Sequence, residues 1–191
     1  MSIMNEELHN SQSDWNSHSL ESMIAHIVAT HHAFCRQAVK SVSLLLREAL
    51  GADKGAHPEL TRIQILFLKM SKDLSMHLLK EEETLFPYIE RVENAVTQDV
   101  AITWPPFGTV ANPIRMMVQE HDQTEDELLD IRKLSNEFAP PLNASESMIN
   151  LYKALAAFDL DMQRHIEIEN TALFPRAVAM EEQACAHKRN A

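Results

Sequence analysis

The sequence is poor in the residues that interrupt helices or cross-link small folds. Its 191 residues include three glycines, eight prolines and two cysteines, Cys35 and Cys185. Two cysteines are too few for a disulfide framework, and their wide separation is unlike the paired spacing of a zinc knuckle. The expected location is therefore the reducing cytoplasm.

Long apolar runs and an excess of positive charge are also missing. No stretch approaches the length of a transmembrane span, and residues 1–8 carry Glu6 and Glu7 with no apolar run behind them, so no signal peptide is expected. The net charge of −11 repels phosphate backbones and anionic lipid headgroups. Neither nucleic acid nor a membrane is therefore an expected partner, whereas small ligands, metal ions and proteins remain.

The chain predicts a single all-α domain. Its length and its 45% hydrophobic residues suit one domain with a sizeable core. Apolar residues recur with the helical period over long stretches, and most glycines and prolines lie between these stretches. We expect polar tails at residues 1–16 and 183–191 around a bundle at 17–182, with helices at about 19–50, 58–94, 113–136 and 145–182.

The longest expected connection joins the second and third helices. Residues 101–111 contain Trp104, two prolines, Phe107 and Gly108, which predict a rigid, aromatic loop. Loops of this length often serve functional sites, so a lid is one interpretation. A hydrophobic plug over one end of the bundle is the simpler one.

The most informative feature is an internal repeat. A histidine followed four residues later by a glutamate, and then by Leu-Phe-Pro, occurs once in the second predicted helix and once in the fourth. A histidine and a glutamate at this spacing lie on one face of a helix, so each copy presents an imidazole and a carboxylate to the same point, as metal sites require. The copies are His77 and Glu81 with Leu85-Phe86-Pro87, and His165 and Glu169 with Leu173-Phe174-Pro175.

A further histidine precedes each copy at nearly the same distance. His32 lies 45 residues before His77, and His121 lies 44 residues before His165. These intervals match two antiparallel hairpins, which predicts all four histidines in one layer of an up-down-up-down antiparallel four-helix bundle. Four histidines and two carboxylates that can bridge suit a pair of iron or manganese ions, whereas magnesium and calcium prefer oxygen ligands alone.

Each part of this set also has a purely structural interpretation. A single histidine on an apolar face, such as His32, is more often a hydrogen-bonded core residue than a ligand. Glu81, Glu82 and Glu83 could form an ordinary solvated charge run. Two equal motifs, each preceded by another histidine, favour metal binding over both interpretations.

The chain also carries segments similar to those of a known family. They are AHIVATHHAF at residues 25–34, FGTVANPIR at 107–115, Glu120-His121-Asp122 and the two Leu-Phe-Pro motifs. With these segments, residues from about 19 to 180 resemble the hemerythrin-like (HHE) cation-binding proteins and, within them, the iron-sulfur cluster repair di-iron proteins. The resemblance implies a hemerythrin-like bundle that holds two iron ions in a non-haem centre.

The resemblance also implies the roles of the ligands. Histidines would be terminal ligands and glutamates would bridge the two ions, with positions left open for water, an oxo bridge or a diatomic molecule such as NO or O2. His31 is the alternative to His32 at the first position. The implied terminal ligands are His32, His77, His121 and His165, and the implied bridges are Glu81 and Glu169.

The sequence departs from its relatives in two respects. Longer members of the family carry a small amino-terminal domain with paired cysteines, and the 191 residues lead us to expect a protein without it. Oxygen-carrying hemerythrins usually have a second histidine four residues after the one matched by His121, whereas Glu125 stands here; we expect it to face solvent, with coordination as the alternative. Cys35 follows His32 closely enough to react at the site, although a small buried hydrophobe is the simpler expectation.

By this resemblance the protein acts under nitrosative or oxidative stress and restores damaged iron-sulfur clusters, with iron-sulfur proteins as partners. One alternative is a module that binds or senses dioxygen on the same bundle. A second alternative is a structural helical bundle without metal. Whether the protein is an enzyme is left open by the sequence.

Overall fold

The computed structural model describes residues 15–53 and 55–187, and four long helices account for nearly all regular structure among them. A short 3-10 turn at Trp15–Ser17 precedes the first helix. No helix among these residues is both long and apolar enough to cross a membrane. The helices are α1 at 20–53, α2 at 59–97, α3 at Ala111–Leu134 and α4 at 146–187.

The predicted all-α, antiparallel four-helix bundle is confirmed. The start of α1 meets the end of α2, where the Glu93 carboxylate accepts hydrogen bonds from the first backbone N–H groups of α1. The start of α3 meets the end of α4 in the same way, because Glu181 accepts from the Val110 N–H. Ser19 and Ser145 cap α1 and α4 by accepting from the N–H three residues later.

The ends of the chain differ in part from the expected tails. Residues 1–14 and 188–191 of those tails lie outside the described residues. Trp15 is half-buried, and Arg176 of α4 donates hydrogen bonds to the carbonyls of Trp15 and His18. Helix α4 runs through His187, beyond the predicted end near residue 182, because its last turns pack against α2.

The apolar core forms two clusters with a polar layer between them. Along α2, Leu78 belongs to the first cluster and Leu85 to the second, and Glu81 lies between them. Along α4, Ile166 belongs to the first cluster and Leu173 to the second, and Glu169 lies between them. Burial of apolar surface in both clusters, at about 25 cal/mol per Å², holds the four helices around the polar layer.

Three of the four helices widen to π-helix where they cross this layer. The Phe86 N–H donates to the Glu81 carbonyl and the Phe174 N–H to the Glu169 carbonyl, each five residues back instead of four. Short π segments often mark functional sites. They are Ile27–His32 in α1, Glu81–Leu85 in α2 and Glu169–Leu173 in α4, whereas α3 is regular α-helix.

The proline of each Leu-Phe-Pro motif explains two of the π segments. Pro87 and Pro175 have no N–H to donate, and their rings would collide with the carbonyl four residues earlier in a regular helix. Those carbonyls belong to Glu83 and Thr171, which lie inside the π segments. The wider turn relieves the collision and sets the direction of the glutamate that begins each segment.

The loop between α2 and α3 closes one end of the bundle. Ile102 and Phe107 pack against the second apolar cluster, and the Phe107 and Tyr88 rings form a T-shaped pair with 5.2 Å between their centroids. Gly108 adopts a φ of 82°, which favours glycine, and its N–H donates to the Pro105 carbonyl. This packing is the one expected of a hydrophobic plug.

We expect Pro87→Ala to weaken metal binding without unfolding the bundle. Alanine allows the regular helical hydrogen bonds to form through residues 81–87, which turns Glu81 away from its present direction. Metal affinity should fall about tenfold or more, as for other losses of ligand orientation, while the metal-free protein unfolds at an equal or higher temperature. Unchanged affinity in a metal titration would show that packing alone maintains the π segment.

Candidate metal centre

The polar layer brings together all six residues of the predicted ligand set. They form two groups of four, and within each group the donor atoms lie within 4.8 Å of one another. Both groups contain Glu81 and Glu169, which are completely buried. The 32/165 half-site adds His32 and His165 to these two glutamates, and the 77/121 half-site adds His77 and His121.

Each shared glutamate directs one oxygen to each half-site. Glu81 Oε1 lies 3.3 Å from His77 Nε2, and its Oε2 lies 3.4 Å from His32 Nε2. A carboxylate placed in this way can bridge two ions. The corresponding distances at Glu169 are 3.1 Å from Oε1 to His165 Nε2 and 3.2 Å from Oε2 to His121 Nε2.

The carboxylate oxygens have the environment of metal ligands. All four oxygens of Glu81 and Glu169 are buried without a well-formed hydrogen bond to any group among the described residues. A buried carboxylate without a partner is costly, so such groups pair with cations or coordinate metals. The imidazole nitrogens Nε2 converge on the same space, with 3.2 Å between those of His32 and His165. The donor set therefore fits a pair of metal ions.

The site is arranged to keep negative charge on its glutamates. Burial raises the pKa of Glu81, and so does Glu169, but the adjacent His77 and His32 outweigh both and hold it below its usual value. At Glu169, burial is outweighed by His165 and His121, which keep the pKa of this carboxyl well below its usual range. Both carboxylates are thus ionised and able to receive cations.

Two histidines of the metal-free site have raised pKa values that favour their protonated form. Burial lowers the pKa of His77, but Glu81 and Glu169 outweigh it and raise this pKa to about 9. The pKa of His165 is likewise raised because Glu169 and Glu81 outweigh the effect of burial. Protons and metal ions therefore compete for the same nitrogens.

The residue after each shared glutamate orients a histidine of the neighbouring hairpin helix. His32 donates its Nδ1–H to Glu82 Oε1 at 2.6 Å, and His121 donates to the amide oxygen of Asn170 at 3.0 Å. Arg36 donates to the same oxygen of Glu82 at 2.8 Å. These contacts hold the tautomer whose Nε2 is free to bind metal and fix the plane of each ring.

The two remaining ligand histidines differ in this respect. His77 donates its Nδ1–H to Glu120 Oε2 at 2.9 Å, and Lys80 donates to the other oxygen of Glu120. His165 Nδ1 is buried and has no hydrogen-bond partner in the described part of the chain. The four candidate ligand histidines are thus not equally supported by hydrogen bonds.

The other candidate residues from the sequence analysis lie outside both half-sites. His31 is buried, but its Nδ1 lies 2.9 Å from Asp161 Oδ1 instead of facing the glutamates. Glu125 is exposed to solvent. Cys35 is buried, and burial together with Asp161 raises its pKa to about 12, which keeps the thiol protonated at neutral pH.

Sequence reasoning overlooked the orienting residues. In the sequence Glu82 has the pattern of a solvated charge run, and nothing along a single helix assigns an orienting role to Asn170 or Glu120. A signal was present, because Glu82 and Asn170 occupy the same place in the two copies of the repeat and Glu120 directly precedes His121. Which side chains face a ligand from outside depends on how the helices pack, so spacing along one helix did not show it.

The fold and the site define a class of protein, a four-helix bundle whose buried histidines and glutamates can hold metal ions. No protein-family model matches the chain. Several curated proteins do match over most of its length. A probable iron-sulfur cluster repair protein of Haemophilus influenzae is 32% identical over 171 residues, which cover 88% of this chain and 70% of that protein.

Two further relatives are named iron-sulfur cluster repair protein YtfE. The protein of Musicola paradisiaca is 30% identical over 170 residues, covering 88% of this chain and 70% of that protein. The protein of Escherichia coli O157:H7 is 32% identical over 174 residues, covering 89% of this chain and 71% of its own length. The chain belongs to the iron-sulfur cluster repair protein family.

Metal binding should release protons and weaken on acidification. The raised pKa of His77, about 9, means that the metal-free site holds a proton at pH 7 that the ion must displace. The affinity should therefore rise with pH up to about 9 and collapse as the pH falls towards 4. Titration of the metal-free protein with Fe2+ in weak, anaerobic buffer would measure the protons released. Full metal retention at pH 4 would contradict this expectation.

Removing a shared ligand should cost more than removing an orienting one. Glu81→Ala deprives both half-sites of a ligand, so we expect bound iron to fall from two ions per chain to one or none. Glu82→Gln keeps every ligand and an acceptor for His32, so two ions should remain with an affinity lowered about tenfold at most. Metal analysis after dialysis separates these outcomes. Equal losses in the two variants would argue against bridging.

Proposed function

We propose that the protein is a non-haem di-iron protein that acts in the repair of iron-sulfur clusters damaged by nitric oxide or oxidative stress. The observation that carries this proposal is the pair of buried half-sites that share Glu81 and Glu169. The names of the relatives, which describe iron-sulfur cluster repair, supply the biological context.

The donor set suits iron better than magnesium or calcium. Two imidazoles and two carboxylates at each position suit iron or manganese, whereas magnesium and calcium prefer oxygen ligands alone. Four protein donors leave positions open at an ion that takes six, so a small ligand such as NO or O2 would fit. When bound, iron would supply these open positions and one-electron chemistry.

The protein's own residues would control access and charge. The two apolar clusters close the site from both ends of the bundle and exclude bulk water from the glutamates. A low-dielectric surrounding strengthens the attraction between the carboxylates and the ions. Glu82, Glu120 and Asn170 would hold three of the histidines ready, so little reorganisation is needed when the ions bind.

The partner in this proposal is an iron-sulfur protein whose cluster has been damaged. Of the partners considered from the sequence, proteins and small ligands suit the net charge of −11, whereas nucleic acid and membranes do not. The cytoplasm remains the predicted location of the protein.

The test compares iron content with repair. Cells that lack the protein should recover the activity of an iron-sulfur enzyme slowly after nitric oxide exposure, and the wild-type chain should restore recovery. His77→Ala and His165→Ala should abolish restoration and lower the iron content of the purified protein, because each removes a buried ligand. Glu125→Gln, which changes an exposed carboxylate near His121, is the matched control and should restore fully.

Three results would overturn the proposal. Wild-type protein purified without air could contain no iron, or cells could recover equally well without it. The histidine variants could also restore recovery in full, as expected of a purely structural bundle. A stable and reversible oxygen adduct without any effect on recovery would instead support the dioxygen-binding alternative.

A further inference from the structure

The site has two halves in sequence, the α1–α2 hairpin and the α3–α4 hairpin, and each carries one copy of the repeat. Residues at corresponding positions of the two hairpins can therefore be compared. The residue after the bridging glutamate is Glu82 in one half and Asn170 in the other, and each accepts from the histidine of the preceding helix. Corresponding residues thus perform the same task in both halves. The same comparison can be made between the residue directly before His32 and the residue directly before His121.

At that position the two halves differ. Glu120 precedes His121 and accepts the Nδ1–H of His77 at 2.9 Å. The corresponding residue precedes His32 and is His31, which should by the same relation serve His165. No hydrogen bond joins them, and His165 Nδ1 is buried without a partner among the described residues.

The orientation of His31 explains why it does not serve as an acceptor. Its ring is parallel to that of His165, with 1° between the planes and 5.6 Å between the centroids. The two rings are stacked, and since the lone pair of an imidazole nitrogen lies in the ring plane, a stacked ring presents its face and not an acceptor. His31 Nδ1 is instead engaged with Asp161 Oδ1 at 2.9 Å.

The supporting contacts can therefore be compared directly. In the 77/121 half-site both histidines donate to an oxygen, those of Glu120 and Asn170. In the 32/165 half-site, as far as residues 15–53 and 55–187 are concerned, only His32 does so, to Glu82. Each half-site has one supporting carboxylate, and each of these is shared with a cation, Lys80 or Arg36. The half-sites thus differ by one acceptor, the one missing at His165.

We propose that the two metal positions are unequal and that the 32/165 half-site is the weaker one, because His31 stands where an acceptor for His165 is required. An acceptor on Nδ1 raises the basicity of an imidazole and fixes its orientation, and its loss typically costs about 10- to 100-fold in metal affinity. The proposal rests on the metal centre proposed above. It identifies the ion held by His32 and His165 as the one that leaves first, and thus as the exchangeable iron during repair.

Variants with one half-site disabled allow the two positions to be measured separately. His121→Ala leaves the 32/165 half-site complete, and His32→Ala leaves the 77/121 half-site complete. Each protein is titrated with Co2+, an air-stable substitute for Fe2+, against a competing chelator, and folding is checked by circular dichroism. We expect the His32→Ala protein to bind Co2+ about 10- to 100-fold more tightly than the His121→Ala protein.

Substitutions of His31 test the cause. A glutamine at this position can donate to Asp161 and accept from His165 without adding charge, so His31→Gln should strengthen binding in the His121→Ala protein by about tenfold or more. His31→Leu, of similar size but without an acceptor, should not strengthen it. In the His32→Ala protein His31→Gln should have no effect, since His31 does not contact His77 or His121.

The outcomes separate this proposal from the di-iron proposal. If wild-type protein binds no Fe2+ or Co2+, the metal centre and this inference both fail. If wild-type protein binds two ions but the half-site affinities are equal or reversed, or His31→Leu acts like His31→Gln, this inference alone is wrong. If the half-site variants misfold, His31→Gln is tested in the otherwise wild-type protein. It must then strengthen the weaker of the two metal-binding steps and leave the stronger one unaltered.

Discussion

The structure depends on positive charge that balances the negative charges of two buried carboxylates. Glu81 and Glu169 are completely removed from water, and two negative charges in such a place are tolerable only beside cations. Four imidazoles surround them, and the carboxylates raise the pKa of two of these, His77 and His165, which favours positive charge there in the metal-free site. Every other feature of the layer, from the orienting oxygens to the wide helical turns, serves to bring these six side chains to one point.

The apolar parts of the chain meet this requirement by packing around the layer from both sides. Each cluster contains residues of α1, α2, α3 and α4, so the helices cannot slide along one another without breaking both clusters. Pro87 and Pro175 act locally within this frame. They forbid a regular turn where Glu81 and Glu169 begin the π segments, and so couple the backbone of two helices to the direction of the two shared glutamates.

Much of this arrangement could be predicted from the sequence because it depends on regular spacings between residues. The four-residue step from His77 to Glu81 places both on one helix face whatever the rest of the fold does, and the equal hairpin intervals place His32 and His121 at the same level. The orienting residues were not predicted, because Glu120 reaches His77 from another helix. The π segments were missed since sequence periodicity does not distinguish a single widened turn from a regular one.

The helical bundle and the pairing of histidine with glutamate follow from the amino-acid sequence alone, because both depend on periods of a few residues along one helix. The packing of the helices, in contrast, arranges the six side chains as two half-sites around shared carboxylates, and it makes His31 present a ring face to His165 while Glu120 presents an oxygen to His77. The physical reason is that a hydrogen bond depends on direction as well as distance, and directions between helices are set by packing.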